Sequence, residues 1–456
     1  MELPDPYVAS VTAPASVDVA RWLRGPDVVQ QALVEQIRLE DVHEWSAQPD
    51  VEEIAHERGA FFSVVGISAR RGDQTWEQPI LRQSEVGLLG IALTVRNGRT
   101  QALMQGKAEP GTVGGVQLST TVQATHSNLG RRHGGREVPY VHVFDDDSPA
   151  LLGATVPQSE NGRRFLGKRN LNAIRHVAAD ELDARPGFVW TSLGDLHRGL
   201  RTGEYVSFDA RTVLAQFHAQ ELATARPWPG DLSPVAAALV RGSVPSANAL
   251  HPWASLMEWL VAGRRVSTEI RSLPLTSLAA WERRDGALIH RDRDNFSIIG
   301  LRVRADGREV TGWDQPIVVE SGETLLGLAL TEIRGVLHAA LQLRRDPGLV
   351  FGAELGPTIT ISGSCPESGR PPREYLAPFL YGSSARVLYD QVLSAEGGRF
   401  LAARQRHVIV LTDQLDERPG YRWVALHQWG EMIRRGMIVD EHARSLYTCL
   451  ITLLTP

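Results

Sequence analysis

Cysteine is almost absent from this chain, with Cys365 and Cys449 the only two among 456 residues. Two thiols build neither a disulfide framework nor a cysteine-based zinc site, and a reducing, cytoplasmic setting is expected. Long apolar runs are missing too. The longest, such as 86–95, fall well short of the roughly 20 residues that span a bilayer, and the N-terminus has neither the basic start nor the apolar stretch of a signal peptide. No membrane partner is expected. Charge of one sign is not accumulated: the formal net charge is −5 and like charges form no block. A nucleic-acid binder would carry a net positive footprint, so nucleic acid is not an expected partner.

Several chemical signatures are absent. The 14 histidines include no HExxH or other tight ligand cluster, so no metal is expected. No GxGxxG joins a strand to a helix, and there is no GxxxxGK[ST], GxSxG or DxDxDG. Dinucleotide cofactors, P-loop hydrolysis and serine-esterase chemistry lose their support.

What is present is a duplication. FFSVVGISARRG, followed by WEQPI at Trp76, returns as FSIIGLRVRADG, followed by WDQPI at Trp313. LLGIALT (88–94) returns as LLGLALT (325–331), QGKAEPG (105–111) as QLRRDPG (342–348), PGFVWTSL (186–193) as PGYRWVAL (419–426), and DARTVL (209–214) as HARSLY (442–447). So many landmarks in one order mark an internal repeat. The expected division is a first copy over 1–225, a Pro/Ala-rich connector over 226–248 and a second copy over 249–456. Strand-like alternation with a hairpin signal at Asn97-Gly98 precedes helix-like periodicity toward the end of each copy, so each reads as an α+β unit.

The chemistry-bearing residues are distributed unequally between the copies. Lys107 and Glu109 stand two apart, which places both side chains on one face of a strand. On spacing alone they read first as a surface ion pair before a turn, and otherwise as an acid and base pair. Their counterparts are Arg344 and Asp346, and an arginine releases no proton at working pH. Gln117, Ser119, Thr121, Gln123 and Thr125 alternate with other residues, as a row of neutral hydrogen-bonding groups suited to a sugar or simply to solvent. Arg131, Arg132 and Arg136 cluster after this row, and Arg211 and Arg444 begin matching helices, where a guanidinium could meet a pyrophosphate. Paired Trp76 and Trp313 could stack on a base or fill a core.

Taken together, WxQPI, QxKxEPG, TVQATxSN, GRRF, PGFxW and the late ARTVL helix resemble the sugar nucleotide 2,3-dehydratases, the NDP-hexose 2,3-dehydratase family. The resemblance implies a tandem Nudix-like fold in a homodimer, without the Glu-rich metal box of Nudix hydrolases. It implies loss of water from an NDP-4-keto-6-deoxyhexose, usually a dTDP sugar, to a 3,4-diketo-2,6-dideoxy product that a 3-ketoreductase then consumes. No redox cofactor is needed. On this resemblance Glu109 is the base at C-3 and Lys107 stabilises the enolate or assists the leaving hydroxyl. Tyr140 and His126 are further candidate acids, His126 standing where the family pattern often has arginine. Gln105, Gln123, Thr125, Ser127, Asn128, Arg163 and Arg211 would hold sugar or phosphate, with Trp76 near the base. Trp313, Arg344, Asp346 and Arg444 would form a second, vestigial pocket. Leu171 replaces an arginine that the second copy keeps as Arg406. Two other readings stay open: a sugar-nucleotide-binding partner protein without catalysis, and a related keto-sugar epimerase.

Overall fold

The computed structural model describes residues 4–14, 16–59, 61–125, 137–145, 154–266, 268–292, 295–362, 371–380, 382–413 and 415–456. Each half of the chain contributes two sheets flanked by helices, an α+β arrangement written twice, with three of the four sheets mixed and the one around Ser297–Asp306 paired antiparallel. In the first half, one sheet is built around Ser63–Arg71 and Gln74–Arg82, and the other around Gly87–Arg96 and Arg99–Lys107. Ser297–Asp306 with Gly312–Val319, and Thr324–Ile333 with Val336–Arg344, repeat the pattern.

The hairpin expected at Asn97-Gly98 forms, with both residues in the left-handed region at φ 51° and 70°. Two consecutive positive φ values suit the twist of a two-residue hairpin turn. Arg334 and Gly335 do the same in the second half, at φ 53° and 76°.

The halves are woven together. Gln31–Ile37 pairs antiparallel with Ser297–Asp306 of the other half, and Glu269–Leu273 pairs antiparallel with Ser63–Arg71. Each half thus gives the other its outer strand. The helices Phe208–Thr224 and Glu441–Ile451 contact each other directly, and one apolar cluster takes in both. Among the described residues, no helix is long and apolar enough to cross a membrane.

One departure from the sequence reading shapes the site. The row from Gln117 to Thr125 is not a single strand but two short ones, Gln117–Ser119 and Val122–Ala124. Gly87–Arg96 and Arg99–Lys107 separate at their far ends, and the short strands fill the fork, one pairing with each. Thr121 sits at the crotch, where its hydroxyl accepts from the amide of Ala92 at 2.9 Å and donates to the carbonyl of Leu103 at 2.5 Å. A hydroxyl does both at once, satisfying two backbone groups that the splayed strands leave open. Thr358 repeats this between Ala329 and Ala340.

Candidate active site

The QGKAEPG motif ends the strand Arg99–Lys107 in a turn that meets the other half of the chain. The amide of Gly111 donates to the carbonyl of Gly397 at 2.7 Å, and Ala402 donates back to Gly111 at 2.9 Å. A Cβ on Gly111 would lie 1.7 Å from the carbonyl oxygen of Phe400, so only glycine fits. Gly348 makes the mirror contact with Phe165, also at 1.7 Å. The Pro-Gly of the motif therefore docks each turn against the opposite half, Gly111 on GGRF (397–400) and Gly348 on GRRF (162–165).

This docking makes both cavities composite. A cavity of about 140 Å³ is lined by Lys107, Glu109, Gln123, Thr125, Lys168 and Asp209 of the first half, and by Arg308, Trp313, Gln315 and Arg399 of the second. A second cavity, of about 240 Å³, takes Arg344, Asp346 and Tyr421 from the second half, and Arg71, Trp76, Gln78 and Arg163 from the first. Two assignments made from the sequence are thereby corrected. Trp76 and Arg163 do not share a cavity with Lys107 and Glu109; Trp313 and Arg399 do. The tryptophan-bearing sheet of each half covers the fork of the other, an exchange that sequence repetition alone does not reveal.

Inside the Lys107 cavity the groups are tied together. The Gln123 side-chain amide donates to Glu109 Oε1 at 2.9 Å, and its oxygen accepts from the Ser119 hydroxyl at 3.0 Å. Lys107 Nζ lies 3.3 Å from the carbonyl of Gln123. Burial pulls the Lys107 ammonium below its usual range, with Glu109 opposing that shift and Arg308 adding to it. Lys168 is drawn down by burial to about 8, and its Nζ donates to the carbonyl of Glu85 at 2.7 Å.

Carboxyls at the same cavity shift upward. Burial, then the charges of Glu160, Glu109 and Glu396, holds the Asp209 carboxyl well above the usual carboxylate range. Burial and the neighbouring Glu109 lift Glu396 to about 7. Glu160, also at this cavity, is raised chiefly by burial. Carboxyls pushed upward by burial, a lysine pulled downward and the amide-tethered Glu109 make a cavity suited to moving protons.

The other cavity lacks that capacity. Arg344 and Asp346 face each other through hydrogen bonds of 2.9 to 3.1 Å. Despite burial, the guanidinium groups of Arg344 and Arg163 hold the Asp346 carboxyl far below its ordinary range. A charge locked against a guanidinium neither gives nor takes a proton readily.

Several predicted residues lie elsewhere. Tyr140 is buried in an apolar cluster, where its hydroxyl donates to the carbonyl of Asp183 at 2.6 Å and accepts from the amide of Arg185 at 2.8 Å. Both capacities of the phenol are spent on a loop, so Tyr140 is structural; Tyr375 ties Asp416 and Arg418 in the same way. Arg211 is also no phosphate ligand. It donates to the carbonyls of Val206 and Ser394 and to the hydroxyl of Ser445, and is fully buried. Arg444 matches it on Val439 and Ser159. Gln105 shares a strand face with Lys107 but does not line the cavity. Arg406 lines neither cavity and pairs with Asp390 at 2.6 Å on an exposed face, so Leu171 removes nothing from either. His126, Ser127 and Asn128, like Arg131, Arg132 and Arg136, lie outside the described residues.

Sequence reasoning missed Asp209, Lys168, Arg308 and Arg399. A usable signal existed for the first two: the repeat sets Asp209 against His442 and Lys168 against Ala403. An acid or an amine that the matching position of the other copy lacks is a mark of chemistry done in one copy only.

The pattern of the family described as NDP-hexose 2,3-dehydratase matches residues 16–217 and 254–450. A protein of Streptomyces violaceoruber named dTDP-4-dehydro-6-deoxy-alpha-D-glucopyranose 2,3-dehydratase is 34% identical over 95% of this chain and 96% of its own length. Proteins of the same name from Saccharopolyspora spinosa and Amycolatopsis orientalis are 32% and 30% identical, over 92% and 95% of this chain and 87% and 89% of their own. A solved structure of an "ADP compounds hydrolase" overlaps 34% of this chain and 84% of its own, at 12% identity and a TM-score of 0.23, too low to carry an argument. Two matched segments that together span most of the chain, and three relatives aligned nearly end to end, show that this chain belongs to the NDP-hexose 2,3-dehydratase family.

Proposed function

We propose that this chain is a hydro-lyase that removes water across C-2 and C-3 of an NDP-4-keto-6-deoxyhexose, with dTDP-4-keto-6-deoxyglucose the first substrate to try. The single observation that carries the reading is the joining of Lys107 and tethered Glu109 in one cavity with cations from the opposite half. The sugar would sit beside Lys107 and Glu109 and the diphosphate between Arg308 and Arg399. The base would enter the adjoining cleft of about 270 Å³, which shares Arg308, Trp313 and Arg399 and adds Trp45, Phe61 and Phe62.

The C-4 ketone acidifies the C-3 hydrogen. Glu109 takes that proton, and Lys107 stabilises the charge that gathers on the C-4 oxygen. The enolate then re-forms the ketone as the C-2 hydroxyl departs with an added proton, leaving water and a 3-hydroxy enone. The enone tautomerises to the 3,4-diketone as C-2 gains a proton. No net oxidation occurs, so no redox partner is required by the chemistry. We further propose a homodimer, and functional coupling to a 3-ketoreductase, because a vicinal diketone is reactive and a reductase would remove it.

The test is to mix the protein with dTDP-4-keto-6-deoxyglucose in deuterated water and follow the sugar nucleotide by mass spectrometry, with a 3-ketoreductase and NADPH in a parallel sample. Loss of one water supports the reading. Deuterium uptake without water loss would replace it with an epimerase-like reaction, and binding without change would replace it with a binding protein.

A further inference from the structure

Elimination of hydroxide needs an acid as well as a base, and the roles above leave that position unfilled. The described proton carriers of the Lys107 cavity can be taken in turn. Lys107 is held by the carbonyl of Gln123, and Lys168 donates to the carbonyl of Glu85. Glu396 accepts from the amides of Gly398 and Arg399, at 2.6 and 2.9 Å. Glu160 accepts from the side-chain amide of Asn170. Asp209 differs: it lines the cavity, is 6% exposed, and its carboxyl makes no hydrogen bond with any described residue. A buried carboxyl without a partner is costly as an anion and far less so as an acid.

Its placement follows from the helix Phe208–Thr224. Ser207 caps that helix by accepting from the amide of Ala210, so Asp209 is not consumed as the cap and its side chain is free for other use. The Ser207 hydroxyl reaches Ser119 at 3.1 Å, and Ser119 donates to the Gln123 amide that holds Glu109. A hydrogen-bonded chain thus ties the cap of the helix that carries Asp209 to Glu109, and the helix backbone sets where Asp209 stands. In the other half the repeat replaces Asp209 by His442, which is engaged with Gln405 at 3.0 Å.

We infer that Asp209 is the catalytic acid of the dehydration, giving its proton to the C-2 hydroxyl as the C-2–O bond breaks. The bond's electron pair leaves with the oxygen, the added proton completes water, and Asp209 is left as a carboxylate facing Lys107. Solvent or the enone's own hydroxyl then restores the proton. The inference rests on the dehydratase reading above. It differs from that reading in what it predicts for the leaving group, because fluoride departs without protonation and hydroxide does not.

The experiment compares wild type with Asp209→Asn on dTDP-4-keto-6-deoxyglucose and on its 2-deoxy-2-fluoro analogue, following C-3 deuterium uptake, water loss and fluoride release. Asp209→Asn is expected to lose water elimination on the order of a thousandfold while C-3 exchange and fluoride release stay within about tenfold of wild type. Equal loss of all three, or undiminished water loss, would overturn the assignment. Wild-type protein that releases no water would overturn the dehydratase reading together with it. Should Asp209→Asn not fold, wild type carries the test through pH: as Asp209, which faces Glu109, Glu160, Glu396 and Lys107, loses its proton, water loss falls along an alkaline limb that fluoride release lacks. A limb shared by both substrates overturns the assignment.

Discussion

Arg211 Nη2 lies 2.6 Å from the carbonyl oxygen of Ser394, on a strand contributed by the opposite half of the chain. Arg444 returns the contact to Ser159 at 2.7 Å. The two guanidinium groups pin the paired central helices to each other's sheets, so their loss should be felt in folding and not in ligand binding. Arg211→Met is expected to cost about 3 kcal/mol in urea unfolding, since it leaves three buried acceptors without a charged donor. Affinity for dTDP by calorimetry should stay near wild type. Weakened binding at unchanged stability would return Arg211 to the phosphate-binding role that its position in the sequence suggests.

The exchanged tryptophans give a second prediction. Trp313 lines the Lys107 cavity and Trp76 lines the Arg344 cavity. Removing an aromatic surface from a base is worth roughly 1–3 kcal/mol, so Trp313→Ala should raise KM about tenfold. Trp76→Ala should leave KM where it is. The reverse pattern would mean that each half works with its own tryptophan.

The roles of the two acidic residues at matched positions separate in the same way. Glu109→Gln keeps the hydrogen-bonding shape but cannot take a proton, so turnover and C-3 deuterium exchange should both fall by about a thousandfold or more. Calorimetric binding of dTDP should persist. Asp346→Asn, at the cavity whose carboxylate is locked to Arg344, should leave turnover intact. Survival of turnover in Glu109→Gln and its loss in Asp346→Asn would reverse the active and vestigial cavities.

Much of this was legible in the sequence, and what escaped did so for physical reasons. The duplication, the Asn97-Gly98 hairpin and the helices beginning near Asp209 and Glu441 are local patterns, and local patterns survive in one dimension. The company of Lys107, Glu109, Gln123 and Thr125 was legible because the segments carrying them are neighbours in one sheet. The partners Trp313, Arg308 and Arg399 were not, because they arrive through the docking of the Gly111 turn on the opposite half, which no periodicity encodes. Tyr140 and Arg211 misled for a complementary reason. A phenol and a guanidinium look equally reactive whether their hydrogen bonds are open or spent, and only the packed structure shows that both are spent.

Buried histidines supply a final prediction, in which the sign needs care. The Tyr7 hydroxyl meets His218 Nδ1 at 3.1 Å, His218 Nε2 meets His197 Nε2 at 3.2 Å, and His197 Nδ1 meets the Thr455 hydroxyl at 2.8 Å, tying the first described helix to the C-terminal residues. Burial lowers His218 to about 3 and holds His197 well below its ordinary value. The unfolded chain takes up protons below about 6.5 that the folded chain refuses, so this contribution to stability is complete above that pH and is lost on acidification toward about 3. Raised carboxyls such as Glu396, at about 7, act in the opposite direction, because the folded chain keeps a proton that the unfolded chain releases. The wild-type stability curve between pH 5 and 7 therefore mixes opposing slopes, and the informative quantity is a difference between proteins. His218→Gln cannot be protonated, so its stability relative to wild type should improve by about 1.4 kcal/mol for each pH unit below about 6. Urea unfolding of the two proteins at several pH values reads this directly, and a gap that does not change with pH would mean that His218 is protonated as easily folded as unfolded.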